Sequence, residues 1–206
     1  RMDILGKLFS SNAIIKIMRL FLLNPDTPFD NKDILSRSKI TSASLRTELS
    51  ILGGIKLLNK KTFYKEIPSR TKIGKTKKKK TTGWILNKNF THLYALKLLL
   101  LNPDSVNKKN IVKRLLGTGK IKLVVLSGIF LSQDVSRVDV LIVGDNVSNK
   151  SVETSIRYVE SEIGKELKYA AMDTKEFNYR LGMCDKFIRD ILDYPHEVIV
   201  DKIGIQ

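Results

Sequence analysis

Cysteine and histidine are scarce in this sequence, and their scarcity excludes several kinds of site. Cys184 is the one cysteine, and His92 and His196 are the two histidines. A single cysteine excludes an internal disulfide and is typical of a protein in a reducing compartment. The three residues form no cluster with the spacing of zinc ligands. We therefore expect no metal site and no cofactor.

Long apolar runs are missing as well. The longest runs, such as Leu20–Leu23 and Leu98–Leu101, are far too short for a bilayer, which takes about 20 apolar residues. Lys16 and Arg19 interrupt the apolar stretch near the start of the chain, and no small-residue cleavage site follows it. We interpret this stretch as a helix of the core, and we expect a cytoplasmic protein that does not enter a membrane.

Acidic residues are few in the first half of the chain. Residues 1–120 hold 26 Lys/Arg against 7 Asp/Glu, a net charge of +19, whereas residues 121–206 hold 11 against 14, a net charge of −3. A basic half joined to a nearly neutral half is typical of a module that binds a polyanion, attached to a second domain. Basic ribosomal-type and membrane-surface proteins share the positive charge, although they need not confine it to one half.

Three helices are predicted in the first 52 residues. Apolar residues recur at helical spacing over residues 12–23, and Asn24-Pro25 ends that helix. A second helix covers Asp30–Ser38, a short connection of three residues follows, and a third helix covers Thr41–Leu52. This order and spacing are typical of a helix-turn-helix, whose last helix enters the major groove of DNA.

The third helix has a narrow apolar stripe. At about 100° per residue, Glu48, Leu49 and Leu52 fall within about 60° of Leu45. The opposite face is small, hydroxylic and basic, which suits a groove floor where Arg, Ser and Thr reach base edges. An ordinary amphipathic surface helix would have the same pattern. We expect Gly53-Gly54 to end this helix.

A basic hairpin is predicted next. The stretches Leu57–Ile67 and Thr81–Leu86 are β-compatible, and the second holds the only tryptophan, Trp84. The segment between them is polar and flexible, and residues 60–80 contain ten Lys/Arg against one acid, Glu66. After a helix-turn-helix, such a hairpin is a wing whose charges contact phosphates. A solvated charge run is the alternative.

These pieces together resemble the winged helix-turn-helix family over about residues 10–90. The resemblance implies sequence-specific binding of double-stranded DNA, often as a homodimer on a two-fold site. The residues that we expect to read bases or contact phosphates are Ser42, Ala43, Arg46, Thr47, Ser50, Lys60, Lys61, Arg70, Lys72, Lys75, Lys77, Lys78, Lys79 and Lys80.

The second half alternates strand-like and helical patterns, which indicates an α/β sheet domain. Its first strand follows Gly117-Thr118-Gly119-Lys120, a sequence similar to part of a phosphate-binding loop. The loop needs glycine where the chain has Arg114 and Ser or Thr where it has Ile121, and it follows a strand. Here the segment follows a predicted helix, so we interpret it as a basic turn.

The segment of residues 127–145 resembles the front of the polymerase-β-like nucleotidyltransferase fold. In that family a strand leads to Gly-Ser, and Asp-x-Asp opens the next strand and holds divalent metal. Gly128 and Asp139 fit the pattern, but Ile129 replaces the serine and Arg137 replaces the first aspartate. We expect the motif to be vestigial and without catalysis, with Asp139 paired to Arg137 or Lys122.

The sequence as a whole predicts an α+β chain with three parts: a winged helix-turn-helix domain at residues 1–90, a helical linker at 91–119, and a nucleotidyltransferase-like domain at 120–206, which we expect to be inactive. The chain resembles bacterial regulators that join a winged helix to a degenerate nucleotidyltransferase-like domain. We expect a DNA-binding transcriptional regulator and homodimer whose C-terminal domain dimerises or senses a small-molecule or nucleotide effector. The alternatives are an active nucleotidyltransferase acting on nucleic acid or protein, and an RNA-binding protein, which the aromatic fraction of 7% argues against.

Overall fold

The computed structural model describes residues 4–68, 76–102, 108–131 and 136–205. The chain is mixed α+β with two small sheets, one of two strands and one of four. It divides into two compact units: residues 1–101 with 161–165, and residues 102–160 with 166–206.

The first unit consists of helices packed around one core and a long hairpin. Its elements are α1 (Ile4–Leu8), α2 (Asn12–Leu23), α3 (Asn31–Ser38), α4 (Ser42–Gly54), β1 (Leu58–Pro68), β2 (Thr76–Leu86) and α5 (Leu93–Leu100). The helix α2 is the centre of the core because Ile17 and Phe21 on it are completely buried.

Side-chain caps explain where the helices α2, α3 and α4 begin. Ser11, Asp30 and Thr41 stand in extended backbone just before α2, α3 and α4, and each side chain accepts a hydrogen bond from an amide of the first turn. The helix α4 extends two residues beyond its predicted end, through Gly54, and the left-handed backbone lies at Lys56 (φ 61°). The helix therefore ends at the predicted Gly53-Gly54 pair, but both glycines are its last helical residues and neither is a left-handed cap.

The hairpin is longer than predicted. The strands β1 and β2 pair antiparallel from Leu58 opposite Leu86 to Pro68 opposite Thr76. The segment 76–80, predicted to belong to a flexible loop, is part of β2 because the ladder continues along it. Phe29 adds a short bridge to this sheet: its amide and carbonyl exchange hydrogen bonds of 2.9 Å with those of Trp84.

The second unit is a four-stranded sheet with helices. Its elements are α6 (Lys108–Leu116), β3 (Lys120–Leu126), a 3₁₀ turn (Gly128–Leu131), β4 (Val140–Asp145), α7 (Asn149–Ile163, whose last residues group with the first unit), β5 (Tyr169–Met172), α8 (Thr174–Gly182), α9 (Lys186–Leu192) and β6 (Glu197–Asp201). The strand order is β5-β4-β3-β6, with β4 and β5 parallel and the other pairs antiparallel.

Helices cover this sheet, and its central strands are buried on both faces. Val124, Val125 and Ile142 are at most 1% exposed, which explains the continuous apolar runs of β3 and β4. The predicted helical linker is divided between the units, because Leu100 of α5 belongs to the first core whereas α6 packs beside β3.

Candidate nucleic-acid interface

The helix α4 presents two different faces. Its buried side consists of Leu45, Glu48, Leu49 and Leu52. The residues predicted to face DNA are all exposed, and these are Ser42, Ala43, Arg46, Thr47 and Ser50. The outward face therefore has one guanidinium, three hydroxyl groups and a methyl group, with no acidic side chain among them.

The one acid on the buried side has a specific partner. Glu48 is 7% exposed, and its Oε1 accepts a hydrogen bond of 2.5 Å from the hydroxyl of Ser11. The same hydroxyl accepts from the amide of Ile14 at the start of α2. Because the hydroxyl of Ser11 bonds both Glu48 and the amide of Ile14, it fixes the orientation of α4 about its own axis relative to the start of α2. The basic face of α4 therefore points outward.

The connection between α3 and α4 is short and well defined. Lys39 adopts the left-handed conformation (φ 49°), and its amide donates to the carbonyl of Leu35 to close α3. Two residues later Thr41 caps α4 by accepting from the amide of Ser44 at 3.2 Å. This is the three-residue turn that the sequence predicts between the two helices.

The hairpin docks on the end of α4 through its tryptophan. A Cβ on Gly53 would lie 2.9 Å and 3.0 Å from ring atoms of Trp84, so glycine provides clearance for the indole. Close packing is therefore the role of Gly53 here. The ammonium group of Lys60 lies 5.7 Å from the centre of the Trp84 ring, a cation–π distance. Ser50, Lys60 and Trp84 line one hollow beside the helix.

The lysine run in β2 alternates between two faces of the hairpin, because successive side chains of a strand point to opposite sides. Lys78 and Lys80 share a face with Trp84 and stand opposite Glu66 and Tyr64 of β1. We call this face, formed by residues 60, 62, 64, 66, 78, 80, 82 and 84, the α4 face. Lys77 and Lys79 lie on the other face.

That other face adjoins the start of α3. Lys79 stands opposite Lys65, whose ammonium forms ion pairs with Asp30, at 3.2 Å, and with Asp33. We call this face, formed by residues 61, 63, 65, 77, 79 and 81, the α3 face. Burial works against ionisation of Asp30, but the amide of Asp33 and the ammonium of Lys65 outweigh it and lower the pKa of Asp30. The same pairs raise the pKa of Lys65 against its own burial.

The exposed side chains of the described hairpin include six of the predicted phosphate contacts: Lys60, Lys61, Lys77, Lys78, Lys79 and Lys80. Arg70, Lys72 and Lys75 lie outside the described residues. The sequence interpretation missed Tyr64, which is 69% exposed on the α4 face across from Lys80. Tyr64 is four positions from Lys60, and side chains an even number of positions apart on a strand share a face. This spacing could have identified Tyr64 from the sequence.

Gly128 and Asp139 of the second unit form a brace between backbone segments. One carboxylate oxygen of Asp139 accepts from the amide of Ile129 at 3.0 Å, and the other accepts from the amide of Lys168 at 2.8 Å. Gly128 has a left-handed backbone (φ 56°), and a Cβ there would overlap Oδ1 of Asp139. Glycine and aspartate therefore form a matched pair that joins the ends of β3, β4 and β5.

The expected ion pairs of Asp139 were wrong. Arg137 pairs with Asp190 at 2.7 Å, and Lys122 pairs with Asp145 at 2.8 Å. The hydrogen bond from Lys122 lowers the pKa of Asp145 to about 2. Among the residues that the structure describes, no group of three His, Cys, Asp or Glu side chains is placed to hold a metal ion.

No protein-family model, curated protein or solved structure matches the chain. In the described ranges, no helix combines the length and the apolar character needed to cross a bilayer.

Proposed function

We propose that this chain is a sequence-specific regulator that binds double-stranded DNA through a winged helix-turn-helix in its first unit. The observation that carries the proposal is the exposed face of α4. A capped helix follows a three-residue turn, buries its apolar side, and presents Arg46 among small and hydroxylic residues beside a strand rich in lysine. The net charge of +19 over residues 1–120 supports a polyanionic partner.

The two parts of this surface have different tasks. Arg46 reads base edges in the major groove, Thr47 and Ser50 supply further hydrogen bonds, and Ala43 contacts a thymine methyl group. The lysines of the wing bind phosphates, which positions the protein without reading sequence. Because Lys60, Lys78 and Lys80 share the hairpin face that packs on α4, this face contributes most of the phosphate contacts next to the groove.

Selection of bound duplexes from a random library tests the base-reading task. Once a site is found, Arg46→Ala should weaken binding to that site by about 1–3 kcal/mol and change binding to random DNA little. Arg157→Ala, an equal loss of charge at an exposed position of α7, is the control and should affect neither. Equal losses on both DNAs for Arg46→Ala would refute base reading.

Because the lysines of residues 77–80 alternate between the two faces of the hairpin, two matched double variants can test the wing. Lys78→Ala/Lys80→Ala and Lys77→Ala/Lys79→Ala remove the same charge from the same strand on opposite faces. The first variant should bind specific and random DNA more weakly and reduce the logarithmic salt slope by up to about 1.8, at about 0.9 per phosphate contact. The second should change the slope less. Equal effects would contradict the assignment of the α4 face, and no effect in either would exclude the wing from the interface.

We further propose that the chain acts as a homodimer on a two-fold site, with the second unit dimerising or sensing an effector. Selected sequences should then contain two inverted half-sites. The geometry does not favour the alternative of an active nucleotidyltransferase, because both carboxylate oxygens of Asp139 are engaged with backbone amides. Transfer of labelled nucleotide in Mg²⁺ or Mn²⁺ that Asp139→Ala abolishes would overturn this view. Competition between duplex DNA and RNA tests the remaining alternative of RNA binding.

A further inference from the structure

The second unit has a hollow at the beginning of β3, at the opposite end of this strand from Gly128 and Asp139. Its volume is about 450 Å³, within the range of about 300–1,000 Å³ that small-molecule sites occupy. We call it the lysine hollow, and its lining consists of Leu116, Gly119, Lys120, Ile121, Lys122 and Lys202.

The lysine hollow is basic. Lys120 and Lys202 are exposed and have no ion pair among the described residues, whereas Lys122 is paired with Asp145. The nearby carboxylate of Asp201 accepts three backbone amides of the residues that follow it, 203–205. Two ammonium groups are therefore available to an anion that enters the hollow.

The Gly-Thr-Gly-Lys turn of residues 117–120, which resembles part of a phosphate-binding loop in sequence, forms one side of the hollow. Thr118 is buried and donates to the carbonyl of Leu115 at 2.7 Å, which anchors the end of α6. A Cβ on Gly119 would come within 2.8 Å of the carbonyl oxygen of Asn146, and one on Gly144 within 2.6 Å of that of Lys120. Two glycines thus allow close approach of the backbones that form this end of the sheet.

A bulge in β3 lies at the same place. Ile121 stands opposite Gly144 and Leu123 opposite Val143, so Lys122 is the extra residue. Bulges re-aim side chains and occur often beside binding sites. On the other side of β3, the amide of Lys202 donates to the carbonyl of Lys122 at 2.7 Å. This bond holds the end of β6, and with it Lys202, beside Lys120 and Lys122.

We infer that the lysine hollow binds a small phosphate-bearing ligand of the nucleotide class. The ammonium groups of Lys120 and Lys202 hold phosphate oxygens, a task for which lysine serves as a point charge. Leu116, which is 41% exposed at the wall, offers an apolar surface for a base or sugar. The inference is independent of DNA binding, because every lining residue belongs to the second unit.

Calorimetric titration of the full chain with ATP, inorganic tripolyphosphate and adenosine tests the inference. At about 0.15 M salt, which screens exposed charges beyond about 8 Å, ATP and tripolyphosphate should bind saturably at one site, and adenosine should not bind. Lys120→Ala/Lys202→Ala should weaken ATP binding about tenfold or more. Lys202→Glu is a second variant, and it should weaken binding through repulsion.

Two controls separate the hollow from other basic surfaces. Lys175→Ala/Lys186→Ala removes two exposed lysines of the same unit outside the hollow, and ATP affinity should stay unchanged. Lys78→Ala/Lys80→Ala on the wing should also leave it unchanged. Absence of saturable ATP binding, or equal losses in the hollow and control variants, would overturn the inference. It would be overturned as well if the hollow variant lost duplex binding and kept ATP binding, because the hollow would then belong to the DNA surface.

Discussion

The contact between Gly128 and Asp139 can be tested by a double-mutant cycle. Asp139→Ala removes a carboxylate that accepts two backbone amides, from Ile129 and Lys168. Hydrogen bonds to charged groups contribute about 1.5–3 kcal/mol each, and the exposure of Lys168 to water reduces the contribution of its bond below this range. We therefore expect the free energy of unfolding to fall by about 2–4 kcal/mol.

Gly128→Ala should cost more than backbone strain alone. The left-handed conformation costs about 1–2 kcal/mol for a residue with a Cβ. In addition, the new methyl group overlaps Oδ1 of Asp139 and displaces the carboxylate from both amides, for a total of about 3–6 kcal/mol. In the Asp139→Ala background the carboxylate is absent, and only the cost of about 1–2 kcal/mol remains.

The two substitutions should therefore couple by about 2–4 kcal/mol, with the double variant more stable than the sum of the single variants predicts. Urea unfolding of the full chain, followed by circular dichroism, measures the cycle, and hydrogen exchange of the β3 and β4 amides localises the effect. Asp139→Asn keeps one acceptor oxygen and should lose about half as much as Asp139→Ala. Additivity within about 0.5 kcal/mol, or a neutral or stabilising Asp139→Ala, would refute the brace.

Three further predictions concern the first unit. Gly83→Ala should destabilise it by about 2 kcal/mol or more, because the Cβ would overlap the carbonyl of Phe29, and loss of amide protection at that bridge would show it. Lys65→Ala should destabilise the chain more at about pH 7 than at about pH 3. The ion pair with Lys65 helps to lower the pKa of Asp30, and the stability that it contributes is lost as the pH falls through that pKa. Urea midpoints across this pH range measure the difference. Ser11→Ala should cost about 1 kcal/mol or more through loss of the α2 cap, measured by the same unfolding.

Much of the secondary structure could be predicted from the sequence because it depends on neighbours along the chain. Ser11, Asp30 and Thr41 have short polar side chains that cap the helix directly after them, and the apolar periodicity of α2 and α4 shows which side is buried. The exposure of Arg46 and its neighbours on α4 follows from the same periodicity.

Other features were decided by contacts between distant parts of the chain. Gly53 clears the ring of Trp84, which is 31 positions away, and local capping rules do not reveal this packing role. The lysine run of residues 77–80 belongs to β2 because it pairs with β1. The register of that pairing decides which of these lysines share the α4 face.

The sequence by itself determined the periodic faces, the uneven charge and the short polar stretches that hold the helix caps, because each is a property of residue type and local spacing. Tertiary structure alone decided the partners of Asp139. Its ion pairs were expected from nearby residues in sequence, yet its oxygens meet the amides of Ile129 and of Lys168, which the parallel strand β5 brings alongside β4. Such pairings depend on how distant strands come together, and residue spacing along the chain does not contain that information.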